Sequence, residues 1–188
     1  MIPSLSFSER VRESAKCIAE SGAPALSGLY DLTSMRMVRF AVTITRNQHD
    51  AEDAVQATLL RVVGDPKLLY RADSPWPYLL RMVRNESLVI LRRKRRGAIV
   101  SNLIDLLTHK SVDEVVQEES HRAVWLAIRS LPVEQSEVVV LKIWEELTFL
   151  QIAEVLSLSP ATAASRYRYG MQKLATELRS QSVEVSHD

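Results

Sequence analysis

The stretch LTFLQIAEVLSLSPATAASRYRYGMQKL, residues 147–174, decides the fold. Thr148 and Gln151 stand three residues apart, the spacing of a capping box in which each side chain takes the other's backbone amide. Phe149, Ile152, Ala153 and Leu156 follow at helical spacing and define an inward face. The pattern stops at Ser157, Leu158 and Ser159. Ser159 then caps a second helix, and Pro160 takes its first position, where a missing N–H costs nothing. Two short helices joined by a tight turn are a helix-turn-helix, although an ordinary helical hairpin carries the same local signals. In the second helix Ala163, Tyr167, Gly170, Met171 and Leu174 share the inner face. Thr162, Ser165, Arg166, Arg168, Tyr169 and Gln172 fall outside it, and their hydroxyls, guanidiniums and amide suit base edges and phosphates. Ala161 and Ala164 are small enough to let the helix lie deep in a groove.

Upstream, apolar residues recur three and four apart almost everywhere, which predicts helices throughout. The run EVVVL (137–141) has strand-like composition, but LPVEQS before it and KIWEEL after it favour a helix. Ser74 and Pro75 open another helix as N-cap and first residue. On it Leu79, Leu80, Val83, Ile90 and Leu91 share one face. Arg81, Arg84, Asn85, Arg92 and Arg95 share the opposite one, within an arc of roughly 100°. The helix ends in RRKRR (92–96) and Gly97. Such a stripe is a polyanion-binding surface, or a solvated face whose cations offset the helix dipole. A membrane-surface patch or a targeting signal reads the same way.

The preceding segment, HDAEDAVQATLLRVV (49–63), predicts a helix with Asp50 as N-cap and acids in its first turn. Val55, Leu59 and Val62 face inward, while Asp53, Gln56, Leu60 and Val63 face outward. A leucine beside an aspartate and a glutamine marks a protein contact, or else a neighbouring helix covers Leu60.

Composition sets the outer limits. A net charge of +1 over 188 residues makes any nucleic-acid signal local. Five glycines and seven prolines argue against a β-rich or disordered chain. No apolar run approaches the roughly 20 residues of a membrane span, and the start lacks a leader's basic and apolar segments. The single Cys17 and four scattered histidines provide no metal-ligand spacing. The expectation is an all-α cytoplasmic protein of two small helical domains, without metal or cofactor and not inserted in a membrane. The boundaries read from composition are 1–96 for the first domain, 97–111 for a linker, 112–180 for the second domain and 181–188 for a tail.

Together the three stretches resemble the extracytoplasmic-function class of bacterial RNA polymerase sigma factors, nearly end to end from about Val11 to Leu178. DAEDAVQATLLRV is similar to the acidic helix by which sigma region 2 grips the polymerase clamp. WPYLLRMVRNESLVILRRKRR resembles the helix facing the −10 promoter element. Residues 131–174 resemble region 4, the −35 reader. The resemblance implies clamp contacts by Asp53 and Gln56, with Leu60 beside them. It implies −10 contacts by Asn85 and by the basic end Arg92, Arg93, Arg95 and Arg96, with Arg81 and Arg84 on the same stripe. It implies −35 contacts by Ser165 and Arg166, with Thr162, Arg168 and Tyr169 adjacent. The implied partners are core RNA polymerase, through its clamp and flap, promoter DNA and an anti-sigma factor. Four positions depart from the family pattern: Ala57 replaces a glutamate, Val89 an aspartate, Ser157 the turn glycine and Ala164 a basic residue. Ser157 is therefore expected at positive φ.

Two other readings compete. A stand-alone helix-turn-helix regulator would need a dimer interface to read paired half-sites, and none is visible. A catalytic helical domain would need a nucleophile–base pair, metal spacing or a Gly-rich phosphate loop, and none is present.

Overall fold

A computed structural model describes residues 5–98 and 119–184. Among these the regular elements are helical, as the periodicity predicts, and no strand occurs. The first lobe comprises α1 (Phe7–Ser21), a single turn at Ala23–Ala25, α2 (Leu26–Thr45), α3 (Gln48–Gly64) and α4 (Pro75–Ala98). The second comprises α5 (Glu119–Ser130), α6 (Val133–Ile143), α7 (Phe149–Leu156) and α8 (Pro160–Glu184). Gly97 and Ala98 thus belong to α4 rather than to the linker expected at 97–111, whose remainder lies outside the described residues. Likewise α8 runs four residues into the tail expected from 181.

In the first lobe α2, α3 and α4 pack mutually and α1 lies against α2 and α4. Ser6 and Glu9 make a capping box that starts α1, and Gly22 at φ 71° ends it. Phe40, Val62, Leu79, Leu80 and Val83 are fully buried where the three long helices meet. Trp76, at the start of α4, packs edge-on against Phe7 with centroids 5.0 Å apart.

The start of α3 differs from expectation. Asn47, not Asp50, is the N-cap: its side-chain oxygen accepts the Asp50 N–H at 3.0 Å. Arg46 at φ 58° turns the chain out of α2, which leaves Asn47 extended and one turn earlier than the acids indicate. Asp50 is buried in the first turn and pairs with Lys94 at 2.8 Å, tying the end of α4 to the start of α3.

In the second lobe Val138, Val139, Val140 and Leu141 are all fully buried. Because α6 packs against α8 and α7 and also against α2 of the first lobe, its centre from Ser136 to Leu141 is buried, which accounts for the strand-like run of valines there. Gly170 is a close-approach position: a Cβ there would meet a methyl of Val139 at 2.9 Å, so α8 packs tightly on α6 only because it carries glycine here.

The Thr148–Gln151 capping box starts α7, and Ser159 caps α8 by accepting the Thr162 N–H at 3.0 Å. Between them Ser157 lies at φ 56°, ψ 51°, the left-handed region its replacement of glycine implies. An L side chain there costs about 1 kcal/mol. Ser157→Gly is therefore expected to stabilise the protein by about 0.5–1 kcal/mol and raise Tm by roughly 2–3 °C. Ser157→Val should lower it, because a β-branched residue tolerates this region least. Calorimetry of the two variants checks the sign.

The two lobes are in contact. Helix α6 packs on α2, and α7 packs on α4. The seam carries ion pairs from Arg84 to Glu137, and from Arg36 and Arg39 to Glu145.

Candidate polymerase and nucleic-acid interfaces

The outer face of α3 forms the first surface. Val55, Leu59 and Val62 are buried in the lobe, as their phase predicts. Asp53 and Gln56 are exposed one turn apart, and Leu60 is 71% exposed beside them. No helix among the described residues covers Leu60, so the reading of a covered leucine does not hold. Ala57 is half-buried in the middle of this patch, where a longer acidic side chain would enlarge its charge.

The second surface is the stripe along α4. Leu79, Leu80 and Val83 are fully buried and Ile90 and Leu91 half-buried, so the helix is held in one rotation about its axis. Arg81 and Asn85 are exposed on the opposite side, with the Arg81 guanidinium 5.1 Å from the Tyr78 ring centroid. Arg92, Arg93, Arg95 and Arg96 are all exposed. Among the described residues no acid lies within ion-pair reach of these four. Lys94, in the same run, is committed to Asp50. Among the described residues the run thus divides into four exposed guanidiniums without an acid and one structural ammonium.

Arg84 departs from the open stripe. Its Nε donates to Glu137 Oε1 at 2.7 Å, and its side chain is 20% exposed. Periodicity places Arg84 correctly on the face but is blind to an acid 53 positions away that the fold brings onto it.

The third surface is the start of α8. Arg168 and Tyr169 are exposed, with the guanidinium 5.2 Å from the ring centroid. Thr162 is exposed, and its hydroxyl is 2.8 Å from that of Ser159. Ser165 and Arg166 are half-buried instead of standing fully outside. The close packing of α8 on α6 turns that side of the helix inward, and the Arg166 charge helps hold the Glu137 carboxyl down.

Glu137 and Glu145 were not singled out by the sequence, although each is an acid within or next to an apolar run. Both are buried. Burial pushes each carboxyl above the ordinary glutamate range, and the paired arginines pull it back. Among the described residues no cluster of His, Cys, Asp or Glu has metal-site geometry. No described helix is long and apolar enough to cross a membrane.

The first lobe coincides with a match to the family model for sigma-70 region 2 over residues 29–97, and the second with sigma-70 region 4 over residues 121–174. The chain is 31% identical over 170 residues, 84% of each chain, to the ECF RNA polymerase sigma factor SigK of Mycobacterium sp. strain KMS. It is 25% identical over 183 residues, 90% of this chain and 97% of the other, to the ECF RNA polymerase sigma factor SigW of Bacillus subtilis. Its fold matches that of the sigma factor RpoE in complex with the anti-sigma factor NepR from Bartonella quintana. There the TM-score is 0.63 at 20% identity, over 79% of this chain and 94% of that one. The two lobes, the order of their helices and these relatives agree: the chain belongs to the extracytoplasmic-function (ECF) class of RNA polymerase sigma factors.

Proposed function

We propose that the chain directs promoter recognition through three separate surfaces, each with one task. Asp53, Gln56 and Leu60 on α3 bind the clamp of core polymerase. Arg81, Arg84, Asn85 and the four arginines ending α4 hold DNA at the −10 element. The start of α8, led by Arg168 and Tyr169, reads the −35 element. The protein supplies no chemistry of its own and works in the cytoplasm, where core polymerase is. Its remaining partner is an anti-sigma factor, the kind of protein bound to the RpoE chain of like fold.

The observation that carries this reading is the state of the α4 end. Four exposed guanidiniums, unpaired with any acid among the described residues, stand on a helix whose other face is locked into a core. That is how a fixed phosphate-binding surface is built. The test is reconstitution: the purified chain is mixed with core polymerase, and run-off transcription is measured on a promoter library. Promoter-dependent transcripts that need both components are expected. Tight sequence-specific DNA binding by the chain alone, with no effect on core polymerase, would favour a stand-alone regulator.

Within the library the structure separates two arginines. Arg168 is exposed and pairs with no acid among the described residues, and an arginine held bidentately on guanine discriminates by about 1–3 kcal/mol per base. Arg168→Ala is expected to relax the preference at one or two −35 positions. Arg166 is half-buried, so Arg166→Ala is expected to lower output more evenly. The opposite pattern would make Arg166 the base reader.

A further inference from the structure

Two prolines shape the start of α4. Pro75 and Pro77 carry no N–H, while the Tyr78 N–H donates to the Ser74 carbonyl at 3.1 Å. In a helix the Asp73 carbonyl would be served by the N–H four positions on, which Pro77 lacks. A donor from another helix takes that place: Arg12, on α1, donates to the Asp73 carbonyl through Nη2.

The loop that leads into α4 is anchored elsewhere along its length. At its near end the Asp65 carbonyl accepts the Leu68 N–H at 2.9 Å. The Asp65 carboxylate accepts the Lys67 N–H at 3.2 Å and pairs with Arg71 at 3.1 Å. Leu69 is buried and pins the middle. The far end, where the chain enters α4, is the end that Arg12 holds.

Continuous packing does not do the same work. A cavity of about 110 Å³ remains there, bordered by Ser8, Glu9 and Arg12 of α1 and by residues 74–77. Trp76 is buried, yet its Nε1 has no acceptor among the described residues. The indole is therefore held by shape alone, against the edge of Phe7 on α1. The first turn of α4 is thus seated by α1, through one ring and one guanidinium.

That turn carries the near end of the basic stripe. Arg81 is exposed, with its guanidinium 5.1 Å from the Tyr78 ring centroid. A cation resting on an aromatic face takes its place from the ring, and the ring takes its place from the turn beneath it.

We propose that Arg12 is a positioning residue for strand capture at the −10 element: it replaces the amide that Pro77 lacks and so sets where Arg81 stands. The inference rests on the assignment of Arg81 to the −10 surface. Arg12 itself touches no DNA. A side chain that binds a partner is only as well placed as the residues supporting it.

The experiment uses holoenzyme and two promoters, one a closed duplex kept at low temperature, the other mismatched across −10 and so already open. Arg12→Ala is expected to lower affinity for the mismatched promoter about tenfold, the worth of one charged hydrogen bond. Closed-duplex affinity, core affinity and Tm should hold, because Arg12 is exposed and α1 carries none of the three surfaces. Arg12→Lys, which keeps a donor, should recover most of the loss. Pro77→Ala returns an N–H to position 77, so in that background Arg12→Ala should cost little. Combined with Arg81→Ala, Arg12→Ala should add no further loss.

Equal losses on both promoters, or a loss that neither Arg12→Lys nor Pro77→Ala relieves, overturn the positioning role. Additive losses with Arg81→Ala overturn it too, since Arg12 would then meet DNA on its own account. The underlying reading fails differently: Arg81→Ala alone, with undiminished affinity for the mismatched promoter, removes Arg81 from the −10 face and the proposal with it.

Discussion

Asp53→Ala combined with Gln56→Ala is expected to weaken binding to core polymerase by about 100-fold, with Tm unchanged to within a degree or so. The size follows from two interface anchors at about 1.4 kcal/mol each, one factor of ten apiece. Both side chains are exposed, so their truncation removes no core contact, and surface changes of this kind usually stay within about 0.5 kcal/mol of stability. Leu60 makes the patch more than a charged face. It is 71% exposed on a helix whose opposite side is buried, so covering it by a partner gains apolar burial at no cost in rearrangement. Leu60→Asp should therefore weaken core binding as strongly as the polar pair does. A fluorescence competition titration against core enzyme measures all three. Wild-type affinity in the double variant, with Leu60→Asp equally silent, would remove α3 from the clamp and leave its outer face without a task.

The sequence was most legible where a short-range rule governs. The Thr148–Gln151 box, the Ser159 cap, the phases of α3 and α4 and the left-handed Ser157 depend on neighbours within about one helical turn. All of them stand in the fold as expected. The cap of α3 failed for a reason of the same range. Arg46 takes up the left-handed turn and hands the cap to Asn47, while acids in the first turn are favoured by the dipole whether or not they cap. What stayed hidden is long-range. Glu137 lies 53 positions from Arg84, and Glu145 lies 106 from Arg39. Periodicity assigns a residue to a face and says nothing about what another lobe lays across that face. For that reason Arg84 reads as a free cation and is paired with Glu137, and Arg166 reads as an outer residue and is half-buried, whereas Arg92, Arg93, Arg95 and Arg96 remain exposed. The helical identity of α6 lies between these cases. Its flanks mark a helix, but the burial of every residue from Ser136 to Leu141 is explained only when α2 of the other lobe is seen against it.

Replacing Arg92, Arg93 and Arg95 with alanine together is expected to lower promoter affinity of the holoenzyme by about 100-fold at moderate salt. The dependence of log affinity on log salt should flatten by roughly two to three units. Each phosphate neutralised releases counterions worth about 0.7 units of slope on single strands and 0.9 on duplex. Three lost contacts set that range. The loss should be similar across promoter sequences, because phosphates carry no base information. Lys94 provides the internal contrast. Its ammonium is 2.8 Å from the buried Asp50, so Lys94→Ala strands that carboxylate and should cost about 1–3 kcal/mol of stability. It should leave the salt slope unchanged. Four neighbouring cations of one run thus separate into two behaviours that composition alone treats as one. If the triple variant kept the wild-type slope and affinity, the arginines would be a solvated helix end that offsets the α4 dipole. The −10 contact would then have to reside in Arg81 and Asn85, the exposed residues nearer the start of the helix.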